Sequence, residues 1–217
     1  MNIKCVLFDL DGTLADTSVD MCNALNLVLI NNKFKTVECN KLKTHISRGA
    51  IGIINYASYV NGRPIDSSLL RAEFLQEYSE KCFIHTKMIS NMMKLIDHIN
   101  NNNISCGIVT NKHSKFVKKI IKGLGLESKL NCIITGDMVS EPKPSSEGLL
   151  EACRLVNVGA INCIYVGDDE RDIIAGKNAG MYTVAADFGF ISKDEDVHSW
   201  QADKIVKDPE EIISLII

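Results

Sequence analysis

No Cys-x-x-Cys pair occurs among the eight cysteines of this 217-residue chain, so neither a zinc knuckle nor a thioredoxin-like redox site is encoded. Cys5, Cys106, Cys132 and Cys163 sit in or beside short apolar runs, Cys22, Cys82 and Cys153 in helical patterns, and Cys39 in a polar stretch. That placement suits free, mostly buried thiols in a reducing compartment. No apolar run approaches a membrane span. Met1-Asn2-Ile3-Lys4 leads straight into an apolar run and an acidic motif, unlike a signal peptide. A basic surplus is lacking too: 24 Lys and Arg against 27 Asp and Glu leave a formal net charge of −3. Nucleic acid is therefore not an expected partner, and Lys115, Lys118, Lys119 and Lys122 read as the solvated side of one helix. Internal repeats are missing, and Asn100 to Asn103 is a polar loop. What remains is a soluble cytoplasmic protein with room for one α/β core and a small inserted domain.

The pattern along the chain supports that division. Cys5-Val6-Leu7-Phe8 is a short apolar run ending at Asp9, as a buried parallel strand reads. Helical text follows to about His85: Val19 to Ile30, Glu38 to Ile46, Ala50 to Tyr59 and Ser67 to Cys82, with a Gly62-Arg63-Pro64 turn before the last. Then strands and helices alternate. Strands are expected at Ser105–Val109, Cys132–Ile134, Cys163–Val166 and Tyr182–Ala185. Helices are expected near Ile89–Asn100, Ser114–Leu124, Ser146–Val156 and Arg171–Ala179, with an apolar helix closing at Ile217. Alternation of this kind predicts an α/β fold with a doubly wound parallel sheet, formed by residues 1–15 and 87–217, and a helical module over 16–86.

Ligands of such a sheet bind beyond the carboxyl ends of its strands. Reading just past each strand gives Asp9 and Asp11, then Thr110 and Asn111, then Lys143, then Asp168, Asp169 and Asp172. Clustered carboxylates repel, and a hard divalent cation with oxygen ligands is the simplest remedy. Taken singly, Asp9-Leu10-Asp11-Gly12 could be a turn, Asp169 and Glu170 helix-capping acids, and Thr110 an N-cap. The recurrence of acids at two strand ends is not explained that way. Lys143, between Pro142 and Pro144, reads as a held point charge for phosphate.

Four segments resemble the signatures of the haloacid dehalogenase-like hydrolase superfamily in its phosphatase branch. They are Phe8-Asp9-Leu10-Asp11-Gly12-Thr13-Leu14, Val109-Thr110-Asn111, Lys143-Pro144, and Gly167-Asp168 with Asp172. The resemblance implies a Rossmann-like core with an inserted α-helical cap. It also implies Asp9 as nucleophile, forming a phosphoaspartate, and Asp11 as acid and base. Thr110, Asn111 and Lys143 would bind the phosphoryl group. Mg2+ would sit on Asp9, Asp168 and the Asp11 carbonyl, with Asp172 behind them. Within phosphatases the chain is similar to the phosphoglycolate phosphatase group. A sugar phosphate such as N-acetylmuramic acid 6-phosphate is the alternative substrate. Arg48, in Ser47-Arg48-Gly49-Ala50 of the cap, is the candidate for an anionic leaving group; a solvent-facing arginine at a helix start is the plainer reading. Departures are the missing Pro-Gly turn in His85 to Met92, Ser145-Ser146 after the lysine motif, and Asp169 in place of a small residue.

Asp11 disfavours a dehalogenase, because halide leaves without a proton and an alkoxide does not. A phosphomutase and a non-catalytic phosphate-binding module are the remaining rivals. The expected partner is a small phosphate monoester, with no membrane and no nucleic acid, and the expected state is a monomer or weak homodimer.

Overall fold

The computed structural model describes residues 2–192 and 194–216. Its central sheet has six strands: β1 (Cys5–Phe8), β4 (Ser105–Val109), β5 (Cys132–Ile134), β6 (Cys163–Gly167), β7 (Tyr182–Ala186) and β8 (Lys204–Val206). Their order is β5-β4-β1-β6-β7-β8, and every pairing is parallel. The chain builds outward from β1 in one direction and then returns to build in the other. The tip of β1 is thus a switch point, where an open parallel sheet leaves a crevice.

Successive side chains of a strand point to opposite faces, and here both faces are buried. Val6, Phe8, Ile108, Ile164 and Val166 share one apolar cluster, while Cys5, Leu7, Val109, Cys163 and Tyr165 share another. The first is covered by α5 (Met92–Asn101) and α6 (Ser114–Gly123), the second by α7 (Glu147–Val156) and α8 (Glu170–Ala179). This is the doubly wound sheet that the alternating sequence predicts.

Four helices form a separate layer: α1 (Ser18–Asn31), α2 (Cys39–Leu42), α3 (Gly49–Asn61) and α4 (Ser67–Lys81), with a 3-10 turn at Lys43–Arg48. Leu25, Leu42, Ile53, Phe74 and Tyr78 centre their cluster, which Phe116 and Phe190 join from the core. The chain leaves and re-enters the core through a two-stranded ribbon, β2 (Ala15–Asp16) and β3 (Lys87–Met88), where Asp16 pairs with Lys87. No Pro-Gly turn marks the return. Buried Asp20 of α1 secures it instead, accepting hydrogen bonds from the backbone N–H groups of Ile84, His85 and Thr86 at 2.9–3.0 Å and from the Thr86 hydroxyl at 2.7 Å. Bonds to a charged acceptor are the stronger kind, each contributing about 1.5–3 kcal/mol.

Three expectations need correction. The helix expected over Glu38 to Ile46 tightens to 3-10 geometry after Leu42. The last apolar helix is likewise a 3-10 helix, Pro209–Leu215, preceded by an edge strand, β8, that the tail's irregular text conceals; Ile217 lies outside the described residues. Nor are all eight thiols free, because Cys22 and Cys39 are joined at an S–S distance of 2.04 Å. The Asn26 side chain, one turn beyond Cys22, pairs with both backbone groups of Val37 (2.8 and 3.0 Å) and so brings Cys39 over α1. A separation of 17 residues gives no local signal of this. The other six cysteines are free and buried. No helix among the described residues is long and apolar enough to cross a membrane.

Candidate active site

Asp9 extends β1 by one residue, its N–H donating to the Val166 carbonyl at 2.9 Å, and is buried. The chain then turns sharply at Gly12, whose φ of +87° is left-handed. A Cβ there would lie 2.1 Å from Asp168 Oδ2, so only glycine lets the β1 loop close over Asp168. Asp168, at the tip of β6, is fixed through both oxygens: the Thr13 hydroxyl donates to Oδ1 and the Phe190 N–H to Oδ2, each at 2.8 Å. Gly167 serves the neighbouring carboxylate, since a Cβ on it would lie 2.3 Å from the Asp172 side chain.

Lys143 is the hub. Its ammonium lies 2.7 Å from Asp9 Oδ1, 2.6 Å from Asp172 Oδ1 and 2.8 Å from the Tyr165 hydroxyl. Burial alone would depress its pKa, yet the charges of Asp172 and Asp9 outweigh that and hold it protonated. Its backbone is gripped by Asn111, whose amide donates to the Lys143 carbonyl at 3.0 Å and accepts from its N–H at 2.9 Å. The Asn111 side chain, expected at the substrate, is occupied in positioning this lysine. Thr110 is buried beside it, accepting a hydrogen bond from the Lys112 N–H at 3.2 Å.

Asp11 faces away from this hub. Its carboxylate accepts from the Thr17 hydroxyl at 2.5 Å and from Lys112 Nζ at 2.9 and 3.1 Å. Lys112 in turn lies 4.7 Å from the centre of the Tyr78 ring on α4, and the buried Tyr78 hydroxyl has no hydrogen-bond partner among the described residues.

Asp9, Asp168 and Asp172 can each offer a carboxylate oxygen within 4.8 Å of the others. Against three buried acids stands one ammonium, and all the donors are oxygens, which suits a hard divalent cation. Asp168 is pushed well up from the usual carboxylate range by burial, then by the charges of Asp9 and Asp172. Burial pushes Asp9 up to about 6, with Asp172 and Asp11 adding to the shift and Lys143 opposing it. In the unfolded chain this group ionises near 3.8. Between about pH 4 and pH 6 the folded, metal-free protein therefore keeps a proton that the unfolded chain has lost, and its stability falls as pH rises through that window. The expected size from Asp9 alone is about 3 kcal/mol, and Asp168, raised in the same direction, adds to it. Urea unfolding in chelator should show lower stability at pH 7.5 than at pH 5, with Asp9→Asn flattening the difference. A slope unaltered by that substitution would mean that Asp9 ionises normally.

These groups open onto a cavity of about 630 Å³ between the sheet edge and the helical layer. Arg48 lines it from the start of α3, exposed and without a side-chain hydrogen bond among the described residues. Asp169 caps α8 and binds Arg171 at 2.8 Å, and Arg171 reaches across to the Ser47 carbonyl, tying the core to the loop that carries Arg48. Sequence reasoning missed Lys112, Tyr165 and Arg171. A list extended one residue past Asn111 would have found Lys112, and a hydroxyl inside an apolar strand was the signal for Tyr165.

A family model described as haloacid dehalogenase-like hydrolase matches residues 6–186. An N-acetylmuramic acid 6-phosphate phosphatase of Pseudomonas putida is 34% identical over 216 residues, covering 100% of this chain and 97% of its own. A phosphoglycolate phosphatase of Xanthomonas campestris is 34% identical over 209 residues, covering 96% and 94%. Among solved structures, a haloacid dehalogenase-like hydrolase of Streptococcus pneumoniae superimposes with a TM-score of 0.84 at 19% identity, covering 100% of this chain and 99% of its own. CbbY of Rhodobacter sphaeroides, in complex with phosphate, gives 0.76 at 20% identity, covering 97% and 96%. With its sheet, its strand-end carboxylates and these relatives taken together, the chain belongs to the haloacid dehalogenase-like hydrolases, in their phosphatase branch.

Proposed function

We propose that the chain hydrolyses a small carboxylate-bearing phosphate monoester with Mg2+, through phosphorylated Asp9. The observation that carries this reading is the pairing of Asp9 with Lys143 at 2.7 Å inside a triad of buried carboxylates, with Asp11 held separately nearby. A binding module needs no such division between a nucleophile and an acid.

Asp9 attacks phosphorus in line with the ester bond, that bond breaks, and Asp11 gives its proton to the departing alkoxide. Asp11, now the base, takes a proton from water. The water oxygen attacks the same phosphorus, the bond to Asp9 breaks, and inorganic phosphate leaves. Lys143 and Thr110 hold the phosphoryl oxygens, while Tyr165 and Asp172 hold Lys143. Mg2+, on Asp9, Asp168 and the Asp11 carbonyl with Asp172 behind, would supply neutralising charge to the phosphoryl group.

Residues 16–86 act in this reading as a cap over the core of 1–15 and 87–217, excluding water and reading the leaving group. A cavity complete within one chain suits a monomer or weak homodimer. Six free buried thiols suit the cytoplasm, where the Cys22–Cys39 pair would stand reduced.

Turnover of p-nitrophenyl phosphate tests the chemistry. Chelator should stop it and Mg2+ restore it, and Asp168→Ala should raise the Mg2+ requirement or eliminate turnover; full activity in excess chelator would remove the metal from the mechanism. The substrate follows from a chemistry that both named relatives share, since glycolate and muramic acid each carry a carboxylate. Arg48→Ala should cost a carboxylate-bearing substrate about tenfold or more in kcat/KM, as expected for a lost charge-assisted hydrogen bond, and an aryl phosphate far less. Equal losses on both would show that Arg48 does not select.

A further inference from the structure

The cavity wall has two electrostatic halves. Near the β1 tip every carboxylate that lines it already has a cation: Lys143 for Asp9 and Asp172, Lys112 for Asp11, and Arg171 for Asp169. Three more cations, Arg48, Arg71 and Lys115, line the same cavity without an ion pair among the described residues. Once phosphate and metal occupy the first half, these three still face the leaving group.

Arg71 fixes how far that group extends. Arg71, Phe74, Leu75 and Tyr78 all line the cavity, and their i, i+3, i+4, i+7 spacing makes them one stripe of α4. Tyr78 is the near end, beside the Lys112 ammonium that holds Asp11. Seven helical residues rise about 10 Å, which puts Arg71 two turns from this acid-base pair with Phe74 and Leu75 between. Glycolate carries its carboxylate on the carbon of the ester itself and is too short to reach Arg71. It would also leave most of the 630 Å³ unfilled. A sugar ring can lie on an apolar stripe, and a carboxylate beyond it meets a guanidinium built for bidentate pairing.

We propose that Arg71 is a specificity-determining residue and that the substrate class is a phosphorylated sugar acid. Its ring lies along half-buried Leu75, backed by the buried Phe74, and its carboxylate lies on Arg71, with Arg48 the second cation on the same cavity wall. The proposal rests on the phosphatase reading above.

Four substrates test it: p-nitrophenyl phosphate, 2-phosphoglycolate, N-acetylmuramic acid 6-phosphate, and N-acetylglucosamine 6-phosphate, which lacks the acid's carboxylate. Wild type should prefer the muramic acid ester over the glucosamine ester. Arg71→Ala should lower kcat/KM on the muramic acid ester by about 10- to 100-fold, chiefly through KM. Arg71→Lys should recover part of that loss. The Ala variant should lose much less on the other three, about threefold at most, as for an exposed helix position. Equal wild-type rates on the two sugar phosphates, or an Arg71→Ala loss uniform across all four, would overturn the role of Arg71 while leaving the phosphatase intact. Failure of wild type on every ester in Mg2+ would instead sink the phosphatase reading itself.

Discussion

Asp9→Asn should reduce phosphatase turnover by about five orders of magnitude or more, the scale seen when a catalytic nucleophile is deleted. The carboxamide nearly matches the carboxylate in shape but does not attack phosphorus. The lost charge also weakens the metal site, so Mg2+ affinity should fall in a direct binding measurement. Stability should move the other way. Asp9 is one of three buried carboxylates facing a single ammonium, and its pKa is raised to about 6. Removing its charge at pH 7.5 relieves repulsion, so the metal-free variant should melt at the same temperature as wild type or higher. Acid quenching during turnover should trap labelled phosphate on wild type and none on the variant. Turnover near the wild-type rate by pure variant protein would refute the aspartyl-phosphate mechanism.

Lys143→Ala should have the second largest effect, and on two observables at once. In catalysis it removes the fixed positive charge beside the nucleophile, which should cost about 10²- to 10³-fold in kcat, the usual loss for one preorganised electrostatic donor. In stability it leaves Asp9 and Asp172 buried without their shared cation, a loss of about 3–5 kcal/mol by the general cost of breaking a buried pair. Mg2+ should return part of that stability, because a cation on the same carboxylates replaces the missing charge. Urea unfolding with and without Mg2+ measures both quantities. A variant as stable as wild type in chelator would mean that Asp9 and Asp172 do not depend on Lys143 for their charge balance. Lys143→Arg should not rescue, because the side chain is only 7% exposed and its cage of Asp9, Asp172 and Tyr165 is closed around an ammonium.

Five of the six strands of the main sheet were legible in the sequence, together with their order along the chain and the residues at their tips, while the edge strand β8 was not. The apolar runs at Cys5–Phe8, Ser105–Val109 and Cys163–Gly167 are short and continuous, and each ends at a polar residue (Asp9, Thr110 and Asp168), so local pattern was enough to read them. A parallel sheet then gathers the residues past each strand end at one edge, which is why Asp9, Lys143, Asp168 and Asp172 were legible although 163 positions separate the first from the last. Tertiary structure alone decided which charge meets which. Nothing local says that Lys112 turns to Asp11 while Lys143 turns to Asp9, or that the Asn111 side chain grips the Lys143 backbone. Those pairings depend on distances between loops, set by the sheet register and by the depth at which each loop is buried. The Cys22–Cys39 bond and the Asp20 clasp on Ile84 to Thr86 are of the same kind. Each joins segments whose approach is fixed by helix packing, and a residue pattern along the chain carries no record of packing distance.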